Sequence, residues 1–174
     1  MAHPLVSVVI PVRDEAKETV AALQYTLSQL EVYDFYAHCR EVIVVDDGSR
    51  IAIPSATIRH ETPLGYGAAL KSGIQKATGQ LILTMDGDGQ HSAWDAARLL
   101  NFFLYFPENA KVIGDRRLRE RGTRLWGRKA RNWCASLFAH RWIPDLNSGL
   151  RIFRRDVAVG YLPILSDQFS FTTS

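Results

Sequence analysis

The sequence predicts an α/β fold, a mostly parallel sheet with helices on both faces. Three observations lead there. Short apolar, β-branched runs alternate with amphipathic helical stretches along the chain. The runs are apolar at consecutive positions, as strands buried on both faces must be. Most of them stop at Gly, Asp or Pro, residues that favour turns.

The elements follow in order. Residues 5–10 (LVSVVI) predict a buried strand stopped by Pro11. Asp14 is placed to cap a helix with Glu15 and Glu18 in its first turn, and Val20, Leu23, Leu27 and Leu30 give it an apolar face. Residues 41–45 (EVIVV) predict a second strand, ended by Asp46-Asp47-Gly48-Ser49, and residues 56–60 a weaker third. A helix is expected over 66–77, ended by Gly79, then a strand over 80–85 (QLILTM), ended by Asp86-Gly87-Asp88-Gly89. Ser92 and Asp95 resemble a capping box that opens a helix to about Phe106. A strand over 111–114, a basic helix over 124–140 and a strand over 150–153 follow, with Asp156 capping a last helical turn or two.

The 174 residues, 47% of them hydrophobic, suit one domain with its own core. With 22% charged residues and apolar runs throughout, the chain is not a disordered or low-complexity one. Cys39 and Cys134 form neither a disulfide framework nor a zinc motif, and are read as reduced thiols of a cytosolic protein. No apolar run approaches the roughly 18–20 residues that span a bilayer, and no signal peptide is expected. The net charge of +3 is unevenly placed: residues 111–131 hold nine basic and two acidic side chains, a local +7 that leaves −4 for the rest. Such a segment suits an anionic partner, or is a solvated arginine-rich helix face.

In an open α/β sheet, ligands bind beyond the carboxyl ends of the strands. There the chain places residues 11–15, Asp46 and Asp47, Asp86, Asp88, Gln90 and His91, and Asp115, Arg116 and Arg117. Asp86 and Asp88, two residues apart on a glycine-rich turn, can set oxygens around one divalent cation, and Gln90 adds a neutral oxygen. Hard oxygen ligands suit Mg²⁺ or Mn²⁺, which usually also binds substrate phosphates. The plainer reading is an Asp-Gly turn. A carboxylate of Asp46-Asp47 can accept bonds from a base or a ribose hydroxyl, or close an Asx turn. Gly65-Tyr66-Gly67 opens a helix, where close packing alone can explain the glycines. His91 beside the cluster is read as structural, and the four tryptophans as core or interface. Neither a Gly-x-Gly-x-x-Gly after the first strand nor a Gly-x-x-x-x-Gly-Lys-Ser/Thr occurs, against a dinucleotide fold and a phosphate-loop NTPase.

These residues form VVIPVRDE (8–15), EVIVVDDGS (41–49), LGYGAALKSGIQKATGQLILTMDGDGQH (64–91), VIGDRR (112–117) and DLNSGLRIFRR (145–155). In that order and spacing the chain resembles the family 2 glycosyltransferases of the GT-A (Rossmann-like) fold, and more closely the dolichyl-phosphate mannose synthase-like, or polyprenyl-phosphate glycosyltransferase, branch. The resemblance implies a metal-dependent, inverting transfer from a nucleotide-diphosphate-sugar to a polyprenyl phosphate. It places Pro11, Arg13 and Glu15 at the base pocket, Asp46 at the base or ribose and Asp47 under the loop. Asp86, Asp88 and Gln90 would hold Mg²⁺ or Mn²⁺, and Arg116 would approach the phosphates. Arg124 and Arg128 would lie near the acceptor phosphate, as would Asp145, Ser148 and Arg151. Asp88, Arg116 and Arg124 would be the catalytic side chains. Arg13 stands where the family more often has Tyr or Asn, and Arg128 where it usually has Ser.

A lipid phosphate is already ionised near neutral pH, so its transfer needs no general base. The segment 167–171 lacks the acidic pair of hydroxyl-accepting relatives. The resemblance also implies one catalytic domain over 1–174, truncated at its C-terminal end, and a cytoplasmic protein peripheral to the membrane face. Other readings are a saccharide hydroxyl acceptor, a nucleotidyltransferase, a non-catalytic nucleotide-sugar binder, and a nucleic-acid binder using the arginine segment. No nucleic-acid motif is present, and no nucleic-acid partner is expected.

Overall fold

A computed structural model describes residues 5–14, 25, 39–88, 91–106, 111–113 and 148–167. Among them, β1 (Val6–Val12), β2 (Cys39–Asp46), β3 (Ile58–Arg59), β4 (Leu81–Thr84), β5 (Lys111–Ile113) and β6 (Arg151–Arg154) form one sheet in the order β3-β2-β1-β4-β6-β5. β1 pairs in parallel with β2 and β4, and β2 with β3. β6 runs antiparallel to β4 and β5, so five strands share one direction. Three helices are described along their length: α1 (Tyr66–Lys76), α2 (Ala93–Tyr105) and α3 (Arg155–Tyr161).

Successive side chains of a strand point to opposite faces, so a central strand must be apolar at consecutive positions. β1 is buried along its whole length. Val6, Val8, Ile10 and Val12 join Leu99, Leu100 and Phe103 of α2 in one core. Val9 joins Leu70 and Ile74 of α1, and Leu162 at the end of α3, in the other. Each fully buried side chain of this size contributes roughly 1.5–3 kcal/mol. The expected mostly parallel sheet with helices on both faces is the architecture observed.

β1 does not stop at Pro11 but runs to Val12. The carbonyl of Val9 accepts from Met85 on the β4 side, and that of Val12 from Asp47 on the β2 side. By this alternation the nitrogen of Pro11, which has no hydrogen to donate, faces the β4 side, beyond the last β4 residue, Thr84. α2 starts at the expected capping box: Ser92 Oγ accepts from the Asp95 amide at 3.2 Å, and the Asp95 carboxylate accepts from the Ser92 amide at 3.3 Å. Asp156 does not cap α3: Arg154 holds the N-cap position, and Asp156 sits in the first turn, where its Oδ1 accepts from the Val157 amide. The helices expected after Asp14 and over 124–140 lie outside the described residues.

From β1 the chain goes to β2 and β3 on one side, then to β4 on the other. The crevice beyond the carboxyl ends of β1 and β4 is therefore the topological switch point, the place where open α/β sheets bind ligands. Because β6 is antiparallel, its first residue, Arg151, stands beside Thr84 and Ile113 at this same edge. Residues 148–150 thus arrive at the rim from the opposite direction. Among the described residues, no helix is long and apolar enough to cross a membrane.

Candidate active site

Two acidic loops border the switch point. After β2, Asp46 is fully buried and its carboxylate organises its own loop. Oδ1 accepts from the Ser49 amide at 2.9 Å, and Oδ2 from the Ile53 amide at 3.2 Å and from the Arg59 guanidinium. Burial alone would raise its pKa, but hydrogen bonds from Ser49 and Ile53 and the Arg59 charge outweigh burial and lower it. Asp47 reaches the next segment. Oδ1 accepts from the Leu64 amide and faces His60 Nδ1, and Oδ2 accepts from the Gly65 amide, each at 2.8 Å. Its pKa is lowered too: burial raises it, but His60, Leu64 and Gly65 more than offset that. At the end of β1, Pro11 is buried and Arg13 is exposed. Asp14 is tied to the β2 loop: its amide donates to Ser49 Oγ, and its Oδ1 accepts from the Arg50 amide.

The hydrogen bond from Gly65 to Asp47 fixes the start of α1. Tyr66, the first residue of that helix, donates its hydroxyl to Asp86 Oδ1 at 2.8 Å. The loop after β2 is thereby linked to the loop after β4 through two residues. Asp86 Oδ2 lies 3.5 Å from Nε2 of His91, a buried ring nitrogen with no hydrogen-bond partner. The third boundary of the Asp86 carboxylate is Gly149, where a Cβ would fall 2.1 Å from Oδ2. Thr84 Oγ1 donates to the Gly149 carbonyl at 2.8 Å, which locks the segment before β6 onto the end of β4. Arg151 is buried and its Nε donates to the Ser148 carbonyl, so Ser148 and Arg151 close a turn around Gly149. Asp88 is exposed, one residue beyond Gly87.

The structure thus brings Asp86 together with Tyr66, His91 and residue 149, and sets Asp46 and Asp47 to hold the neighbouring loop. Glu15, Gln90, Arg116, Arg124, Arg128 and Asp145 lie outside the described residues. Among the described residues, no three His, Cys, Asp or Glu side chains gather as a metal site. Trp94 is 56% exposed on α2 and adds nothing to the core. Tyr66 is the site residue that motif reading passed over. A crossover helix between parallel strands starts at their carboxyl edge, so the first residue of α1 had to lie at the rim, and that was the available signal.

An open sheet with acidic loops at its switch point defines a class of α/β protein that binds ligands at that crevice. The comparisons narrow the class: residues 7–161 match the model of Glycosyl transferase family 2, and the chain belongs to that family. It is 30% identical over 168 residues to a dodecaprenyl-phosphate galacturonate synthase of Rhizobium johnstonii, a match covering 87% of this chain and 48% of the relative. It is 26% identical over 193 residues to an undecaprenyl-phosphate 4-deoxy-4-formamido-L-arabinose transferase of Pseudomonas syringae pv. syringae, covering 97% of this chain and 56% of the relative. The chain thus spans about half the length of these curated relatives. In fold it is similar to glucosyl-3-phosphoglycerate synthase from Mycobacterium tuberculosis, crystallised with Mn²⁺, uridine diphosphate and glucosyl-3-phosphoglycerate. That match has a TM-score of 0.74 at 20% identity and covers 98% of this chain and 63% of that one. The fold is the GT-A type that the motifs implied.

Proposed function

We propose that this domain transfers a sugar from a nucleotide-diphosphate-sugar to a polyprenyl phosphate, with inversion at the anomeric carbon. The observation that carries this reading is the Asp86 carboxylate, held by Tyr66 at the switch point and pressed against Gly149 of the Ser-Gly-x-Arg turn. The relatives, a dodecaprenyl-phosphate galacturonate synthase and an undecaprenyl-phosphate 4-deoxy-4-formamido-L-arabinose transferase, support the acceptor class. In this reading Asp86, Asp88 and Gln90 would hold Mg²⁺ or Mn²⁺, and the Asp86 carboxylate, fixed by Tyr66 and 3.5 Å from a buried His91 nitrogen without a hydrogen-bond partner, fits a divalent cation. When bound, the cation would neutralise charge on the departing diphosphate.

The chain's own residues do the rest. Pro11, Arg13 and Glu15 border the base and ribose, whereas Asp46, expected at the base or ribose, is fully buried with its carboxylate bonded to Ser49, Ile53 and Arg59, and with Asp47 holds the loop beside them. A phosphate oxygen of the acceptor attacks the anomeric carbon, the bond from that carbon to the donor diphosphate breaks, and the nucleoside diphosphate leaves. Arg116 stabilises the leaving charge, while Arg124, Arg128, Asp145, Ser148 and Arg151 serve the acceptor side. The acceptor phosphate is ionised at neutral pH, its second pKa lying near about 6, so no side chain has to remove a proton. The one carboxylate in 167–171, Asp167, is engaged by Lys71 at 2.6 Å, in keeping with this. The +7 of residues 111–131 would draw the protein, as a peripheral one, to an anionic membrane surface.

A thermal-shift screen of nucleoside diphosphates and their sugars, with and without Mn²⁺, tests the donor side. A ligand that binds only the folded protein raises the melting point. One nucleotide is expected to stabilise, and only with metal. A labelled-donor assay then offers polyprenyl phosphate against free saccharides. Transfer to the saccharide alone would replace the lipid reading.

A further inference from the structure

We propose that His91 supplies a nitrogen ligand to the cation at Asp86, which makes the site selective for Mn²⁺ over Mg²⁺. This rests on the metal reading above and adds a ligand that the Asp86-Gly87-Asp88-Gly89-Gln90 motif does not contain.

The argument starts from an unsatisfied atom. The His91 side chain is 5% exposed, and its Nε2 has no hydrogen-bond partner. A buried polar atom left without a partner costs about 1–3 kcal/mol, and such exceptions call for an explanation. Nε2 lies 3.5 Å from Asp86 Oδ2 and makes no hydrogen bond to it. That distance suits a shared ion. Ligand bonds of about 2.1 Å let two donors on one ion stand up to about 4.2 Å apart. Oδ1 accepts from the Tyr66 hydroxyl, and the carboxylate fills the space beside Gly149 where a Cβ would begin. A cation that bonds both Oδ2 and Nε2 would satisfy the buried nitrogen.

An imidazole nitrogen changes which cation is preferred. Mg²⁺ favours an all-oxygen shell, while imidazole suits later divalent metals, and affinity for a mixed N/O site rises along the first transition row. With His91 in the shell, Mn²⁺ gains over Mg²⁺. Without it, carboxylate and amide oxygens favour neither as strongly.

Pulsed electron paramagnetic resonance of the whole chain tests this, with Mn²⁺ alone and with Mn²⁺ plus inorganic pyrophosphate, the group common to nucleotide diphosphates. The wild type is expected to show hyperfine coupling from an imidazole nitrogen. His91→Gln should lose that coupling, lose at least the roughly 10–100-fold in Mn²⁺ affinity that removing an outer-shell partner costs, and lose its preference over Mg²⁺. Bound Mn²⁺ without nitrogen coupling in the wild type overturns the role of His91, even if His91→Gln weakens binding, because His91 would then only orient Asp86. Failure of the wild type to take up Mn²⁺ under either condition overturns the metal reading of the whole site. The wild-type spectrum decides the matter even if the variant does not fold.

Discussion

The carboxylate of Asp86 occupies the space where a side chain on residue 149 would begin: a Cβ there would lie 2.1 Å from Oδ2 and 2.2 Å from Oδ1. These residues come from segments 63 positions apart, one leaving a parallel strand and one entering the antiparallel strand. Their contact is what brings the two motifs to one point on the rim.

Gly149→Ala should therefore displace the Asp86 carboxylate. A misplacement of about 1 Å in a reacting group can cost about a hundredfold, so transfer should fall by that order. The added methyl should cost about 1–3 kcal/mol in stability, as overpacking does. Steady-state kinetics beside a thermal melt checks this. A stable, fully active Gly149→Ala protein would show that Asp86 need not sit where it does.

Tyr66→Phe tests the other side of the same carboxylate. It keeps the ring and removes the hydroxyl that donates to Oδ1. Mn²⁺ affinity should drop by about 10–100-fold, the usual range for an outer-shell partner. Excess Mn²⁺ should restore much of the transfer rate. Isothermal titration with Mn²⁺ measures the first effect, and a metal-dependence curve the second.

The loop after β2 makes a prediction in pH. Asp46 and Asp47 have folded-state pKa values below the ordinary carboxylate value of 3.8. A group whose pKa is depressed by folding contributes its full stability above the unfolded value, and loses it as pH falls through the folded one. The protein should therefore lose stability progressively from about pH 4 downward. Asp46→Asn should weaken that acid dependence and, at neutral pH, cost about 1.5–3 kcal/mol for hydrogen bonds to a charged group. Urea melts across pH 2.5–7 measure both. An acid limb as steep in Asp46→Asn as in the wild type would remove Asp46 as a source of it.

Much of this was legible in the residues. The consecutive apolar positions of β1 imply burial on both faces, and Ser92 with Asp95 marks the start of α2 by its own chemistry. Asp46-Asp47 and Asp86-Gly87-Asp88 fall at the rim because they follow parallel strands. What was not legible depends on long-range pairing. Pro11 reads locally as a strand end, and only the early stop of β4 lets it stay in the strand. The contact of Asp86 with Gly149 requires β6 to be antiparallel, which no local pattern encodes. His91 reads as a structural histidine until its Nε2, without a hydrogen-bond partner, is found 3.5 Å from Asp86 Oδ2.

Gly73 gives a test of the packing that carries the site. It lies on α1, where a Cβ would come within 2.3 Å of Val9 Cγ1 and 3.3 Å of Val45 Cγ2. Helix propensity alone favours Ala over Gly by about 1 kcal/mol. If α1 could move aside, Gly73→Ala would be neutral or stabilising. The close approach predicts the opposite sign, a loss of about 1–3 kcal/mol from overpacking. Val9→Ala alone should cost at least about 1.6 kcal/mol, for two buried carbons at about 0.8 each. Together the two substitutions should cost less than their sum, by a coupling of about 0.5–3 kcal/mol, since the shortened Val9 makes room for the new methyl. A urea-melt double-mutant cycle measures that coupling. Strict additivity would mean that α1 does not rest on β1 through this pair, and that the position of Tyr66 over Asp86 is set by other contacts.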